Sequence, residues 1–144
     1  MGERLTALVV GALTAAMSAH VIAHHAFAAE FDADRPVKVA GTVTKMEWVN
    51  PHSWLYVDVK SPDGQVTNWA FELGPVNALY RRGWTKHSVP AGIEVVVEGY
   101  AAKNGQAKAN GRTVKFPDGR ELFAGSSGTG APNDGRDPTD RNNK

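Results

Sequence analysis

The chain has 144 residues, 42% of them hydrophobic and 22% charged, the size and balance of one globular domain with a single core. Sixteen Lys and Arg against fifteen Asp and Glu leave a formal charge of +1, and no basic run exceeds the pair Arg81-Arg82, so no nucleic-acid partner is expected, since a phosphate-tracking surface needs clustered cations. With no cysteine, disulfides, thiolate chemistry and Cys-ligated zinc, iron–sulfur or blue-copper centres are excluded.

The N-terminus reads as a signal peptide over residues 1–23. After Met1 to Arg4 comes an apolar run of 13 residues, Leu5 to Met17, short of the roughly 20 that a membrane span needs, followed by small residues suited to a signal peptidase. Export to a bacterial periplasm or secretion is expected, with no membrane association once the signal is removed. The alternative is an uncleaved anchor, because Glu3 offsets Arg4 in a thin positive end. Two cleavage points satisfy the small-x-small rule. Val21-Ile22-Ala23 lies closer to the end of the apolar run and releases a chain that begins His24-His25, whereas Ala26-Phe27-Ala28 removes both histidines.

Beyond an N-terminal arm (24–36), residues 37–124 alternate strands and turns. Val37 to Val49, VKVAGTVTKMEWV, reads as a long strand with Gly41 placed for a bulge or sharp bend, and Asn50-Pro51 ends it because proline cannot donate to a ladder. Ser53 to Lys60 is a second strand, Pro62-Asp63-Gly64 a hairpin turn, and Val66 to Leu73 the returning strand. Pro75 before VNALYRR and Gly83 after it predict a short helix. Ile93 to Ala101 and Ala107 to Phe116 are strands joined by an Asn104-Gly105 turn, and Pro117-Asp118-Gly119 turns into Arg120 to Ala124. The remainder, 125–144, has no large apolar residue and is expected to be a disordered tail.

Three meander strands, a short helix and two or three further strands in fewer than 100 residues fit a mostly β fold. The expected form is a small five- to six-stranded OB-like barrel, with an open β-sandwich as the rival. In such a barrel the first connection is a ligand-binding loop, and here it runs Trp48-Val49-Asn50-Pro51-His52-Ser53-Trp54.

AHHAFAAEFD, GTVTKMEWVNPHSWLYVDV, NALYRRGW and LFAGSSGTGAP together resemble the small exported bacterial proteins grouped as domain of unknown function 6152. The resemblance covers nearly the whole mature chain. It implies an exported single domain of β-barrel type in which the His-His start and the Asn-Pro-His segment recur, here His24, His25, Asn50, Pro51 and His52; the family name confers no activity.

An N-terminal histidine offers its α-amine, with a reference pKa of about 7.7–8.0, and its ring Nδ1 as a compact chelate once a metal displaces the amine proton. If His24 begins the mature chain, a third nitrogen from His25 or His52 completes a nitrogen-rich, tetragonal set that suits Cu(II) better than Mg, Ca or Mn. A second Cu(II) mode uses the amine, the amide of residue two and the His25 ring. Against the metal reading, paired histidines in an exposed arm are often only solvated, and His52 can serve a turn. A second class of function is a ligand module for a glycan, a peptide or an envelope protein, in which Trp48, Asn50, Trp54 and Tyr56 line the loop and stack the ligand. Trp54 and Tyr56 share a face, either a wall of the core or a platform; Trp69 and Trp84 read as core.

Catalysis is not expected. No nucleophile motif surrounds Ser53, Ser88, Ser126 or Ser127, and a histidine-brace oxidase would need a flat substrate surface on a chain that is small for one. His87 reads as a surface histidine; Glu47, Asp58 and Glu72 read as outward strand positions, and Asp32 and Asp34 as turn residues.

Overall fold

A computed structural model describes residues 26–125, 131–133 and 135–139. The expected signal over 1–23, and His24 and His25 with it, lie outside them. No helix of the described residues is long and apolar enough to cross a membrane.

The fold is mostly β: β1 (Phe31–Glu47), β2 (Trp54–Lys60), β3 (Val66–Glu72), the short helix α1 (Val76–Arg81), β4 (Glu94–Ala102), β5 (Lys108–Lys115) and β6 (Glu121–Phe123). Residues 26–30 add a helical segment ahead of β1. The six strands form one sheet in the order β3-β2-β1-β4-β5-β6, antiparallel at every neighbour, and β3 also pairs in parallel with β5 from Ala70–Lys108 to Glu72–Asn110. Every expected strand and the helix are present within about two residues, with one exception. β1 starts at Phe31, because Phe31 pairs with Ala102 across β4 and buries its ring there, a long-range contact that the polar run Asp32 to Arg35 gives no local sign of.

Strand alternation sorts the side chains. Leu55 and Val57 on β2, Phe71 on β3, Val95 and Val97 on β4 and Ala109 and Val114 on β5 point inward around Trp84, which is fully buried. The indole Nε1–H of Trp84 donates to the carbonyl of Phe123 at 2.8 Å, fixing β6 to the loop after α1. β1 is long enough to serve two neighbours, pairing with β4 up to Thr42 and with β2 from Thr42 onward. A Cβ at Gly41 would lie 2.3 Å from the carbonyl oxygen of Asp58, so glycine is what lets β1 cross so close to β2. The register irregularity itself falls between Val43 and Lys45. The turns carry positive-φ glycines where the sequence places them, at Gly64, Gly83, Gly105 and Gly119.

A second, smaller cluster lies outside the main core: Phe27, Phe31 and Ala102, with Tyr100 and Ala131 against them. It fastens the N-terminal arm. Of the expected tail, residues 131–133 and 135–139 are described, and the strongest anchor there is a charge rather than an apolar group. Asp137 is buried against Arg82, whose Nε donates to Asp137 Oδ1 at 3.0 Å, and Arg82 also donates to the Gly125 carbonyl at 2.8 Å.

Candidate functional site

The β1–β2 loop is tied to the rest of the fold from several sides. Ser53 is fully buried, its N–H donating to the Gly74 carbonyl at 3.2 Å and its Oγ to the Val49 carbonyl at 3.2 Å. Asn50 Oδ1 accepts the N–H of Val76 at 3.1 Å, so this side chain holds the start of α1. The Asn50-Pro51 peptide is cis. These bonds fix where the next residue, His52, stands.

His52 is partly exposed and its Nδ1 is ion-paired with Glu72 Oε1. Glu72 occupies the outward position of β3 that the sequence indicates, yet it is only 6% exposed, because its neighbours on β2 and β5 close over it. The hydrogen bond that the His52 ring donates to Glu72 raises the His52 pKa above its usual value against an opposing effect of burial, with smaller contributions from the charges of Glu72 and Glu30. Because Nδ1–H is committed to a carboxylate, the neutral ring presents Nε2 as its free lone pair.

Around this pair stand groups from three other segments. Trp54 faces Glu72 across β2 and β3, and the ammonium of Lys108 on β5 lies 5.5 Å from the Trp54 ring centre and 5.9 Å from that of Phe31. Lys108 is also ion-paired with Glu30 of the N-terminal arm. Asn110, beside Glu72 in the β3–β5 pairing, is 3% exposed, and its Oδ1 has no hydrogen-bond partner. Glu72, Asn110, Lys108 and Glu30 are the members that sequence reasoning missed. A carboxylate one position from the end of an expected strand offers no local sign of a histidine 20 residues away.

The remaining expected site residues separate. Trp54 and Tyr56 alternate with the buried Leu55 and Val57, so they face outward as a pair; Trp48 packs against the main core. Tyr56 donates its hydroxyl to Glu47 at 3.2 Å and lies 5.4 Å from Lys45 Nζ. Asn50 is engaged with α1. His87 is exposed. His24 and His25 are outside the described residues, and among those described no three His, Cys, Asp or Glu side chains converge as a metal cluster. A groove of about 500 Å³ is lined by Gly41, Thr42, Asp58, Lys60 and Phe116 and does not include His52. A few converging donors, rather than a deep cleft, are what the His52 neighbourhood offers.

A family model described as a family of unknown function (DUF6152) matches residues 12–112, more than half of the chain. The chain belongs to this family. The matched span takes in His24, His25, Asn50 to His52 and NALYRRGW, while LFAGSSGTGAP lies beyond its end. No curated protein and no solved structure matches the chain.

Proposed function

We propose that the chain is an exported binding or accessory protein, an OB-like barrel that holds Cu(II) with the mature N-terminal histidines His24 and His25 and with His52. The barrel reading is supported by the strand pairings, which run β1–β2–β3–β5–β4 and back to β1 through the parallel β3–β5 contact. Export rests on the leader-like residues 1–23.

The observation that carries the metal reading is the bond from His52 Nδ1 to buried Glu72. Liganding histidines characteristically donate their second ring nitrogen to a carboxylate, which fixes the tautomer and makes the other nitrogen more basic. His52 has that arrangement in advance of any metal. Glu30, whose charge acts on His52, lies five residues after His25 in the sequence, and its pairing with Lys108 holds Glu30 on this side of the fold. An α-amine with up to three imidazole nitrogens and no sulfur favours Cu(II) among the common divalent ions. The chemistry is sequestration or delivery of the ion rather than catalysis.

The test is Cu(II) titration of mature protein recovered from the periplasm, with intact mass fixing its first residue. Binding that weakens by about tenfold or more in the His24→Ala, His25→Ala double variant and in His52→Ala is expected, in line with losing a metal donor. Equal affinity in all three proteins, or a mass showing that the chain starts at Ala29, would sink the reading.

A second reading is favoured by the outward placement of Trp54 and Tyr56: a glycan or peptide stacking on that face. Quenching or a blue shift of Trp54 fluorescence by an envelope glycan or peptide, abolished in Trp54→Ala, is its expected sign; an unchanged spectrum across such ligands counts against it.

A further inference from the structure

The groove of about 500 Å³ lies where β1 passes from one neighbour to the other. Pairing of β1 with β2 stops at Thr42 and Asp58, yet β2 runs on to Lys60, and the groove opens beside that unpaired end. Its floor is Ala40 and Thr42, which alternate with the buried Val39 and Val43 and so face outward. Val96 and Phe116 add apolar lining. A volume of this size, apolar with a few polar groups, suits a small organic molecule.

Four charged side chains line the groove, and strand register sorts them by sign. Thr42 has Asp58 beside it on β2 and Glu94 beside it on β4. Two residues along, Ala40 pairs with Val96 of β4, Val96 pairs with Lys115 of β5, and Lys60 stands two residues past Asp58 on β2. The acids therefore share one row and the bases the next, about 7 Å away at about 3.3 Å per strand residue. Among the described residues no ion pair joins the two rows. Asp58 accepts from Asn68 Nδ2 at 2.7 Å, Lys115 is bridged to Glu98 and Glu121 at 3.6 and 3.2 Å, and Lys60 and Glu94 engage no charged side chain.

Opposite charges about 7 Å apart on an apolar body are the dimensions of a dipeptide with both ends free, because an extended chain spans about 3.3–3.6 Å per residue. A single amino acid is too short to reach both rows. We propose that the groove binds an apolar dipeptide, with its α-amino group between Asp58 and Glu94 and its carboxylate between Lys60 and Lys115. The ligand lies along β1, over Thr42 and Ala40, and its side chains meet the apolar lining. Lys60 is at the far end of β2 from Trp54, so this site is independent of both the copper reading and the aromatic face.

The experiment is calorimetric titration and backbone-amide NMR of the mature protein with alanyl-alanine, its N-acetyl and C-amide derivatives, and free alanine. Alanyl-alanine should shift the amides of Ala40, Thr42 and Val96. Blocking either end should weaken binding about fivefold, the upper range for a solvent-exposed ion pair, and alanine should bind more weakly than the dipeptide. Lys60→Ala should lower affinity for the free dipeptide by the same factor and leave that for the C-amide unchanged; Glu94→Ala should do so toward the N-acetyl form. Lys60 and Glu94 are exposed, and the blocked ligands test the same pairs on the wild-type protein. No binding at millimolar dipeptide, or shifts confined to other strands, overturns the proposal. Blocked dipeptides or alanine binding as tightly as the free dipeptide overturn it as well.

Discussion

His52 and Glu72 show how one ion pair sets the character of a surface histidine. The Glu72 carboxylate raises the His52 pKa, and the His52 ring is the exposed member of the pair. A raised histidine pKa means that the pair contributes stability below the unfolded value of about 6.5 and loses it as pH rises through the folded value. Glu72→Gln removes the charge and leaves the burial, so the His52 titration in the metal-free protein should move to lower pH. Proton NMR of the His52 ring reads this directly, and a midpoint that stays put would mean that Glu72 does not hold the ring. In the core, Trp84 combines complete burial with a hydrogen bond to Phe123. Trp84→Phe strands that carbonyl and should cost about 1–3 kcal/mol for the lost bond alone, measured by denaturant unfolding. Trp84 and Trp69 are legible as core from the sequence, because a small β domain has one core to fill and aromatic rings fill it; Trp84 lies in that core and Trp69 packs against it. Glu72 and Asn110 are not, because their burial comes from the strands that flank them rather than from their own polarity.

At the scale of the element, β1 does the work of two strands. It bends from β4 to β2 at Thr42, and Gly41 supplies the missing side chain that the crossing requires. Gly41→Ala would force its Cβ against the Asp58 carbonyl and Val57 and should destabilise by about 1–3 kcal/mol, in the range of overpacking elsewhere. Equal denaturation midpoints for the two proteins would show that β1 can move aside. Most of this architecture is legible in advance. Turn chemistry at Pro62-Asp63-Gly64, Asn104-Gly105 and Pro117-Asp118-Gly119 sets strand ends to within a residue or two, since few residues tolerate the backbone those turns need. The early start of β1 escapes, because Asp32, Asp34 and Pro36 look like a turn until Phe31 finds Ala102 some 70 residues later. What decides that pairing is burial of one ring, invisible to any local window.

Across the whole molecule, charge clasps fasten what the strands leave loose. Glu98 receives Arg136 at 2.6 Å and Lys38 at 3.1 Å, with Lys115 at 3.6 Å, and Arg136 comes from the C-terminal arm. These cations, Arg136 foremost, overcome burial and hold the Glu98 carboxyl at about 2. A depressed carboxylate contributes stability above its unfolded value, and that contribution is lost as pH falls through the range from about 4.5 to about 2. Glu98→Gln should therefore flatten the acid side of the stability curve over that window, as followed by circular dichroism; an identical acid limb would show the cluster to be fully screened by solvent. Asp137 is raised by burial but lowered further by Arg82 and Thr139, so it too releases its hold on acidification. Asp137→Ala leaves the Arg82 guanidinium buried without its counter-charge, at a cost of about 3–5 kcal/mol for breaking a buried pair. Faster proteolysis after residue 125 is the accompanying readout.

The meeting of the two arms has one more consequence. Ala131 packs against the cluster that holds Phe27 and Phe31, so residues near the two ends of the chain close over one another, 104 positions apart. A ribosome makes the N-terminal arm first and its cover last. Chains that stop short of Ala131, even with all six strands complete, leave those two phenyl rings partly uncovered, and chains that extend through it hide them. Whether synthesis has passed Ala131 is thus written into the surface itself, in a form that a protease surveying for bare aromatic side chains is able to read.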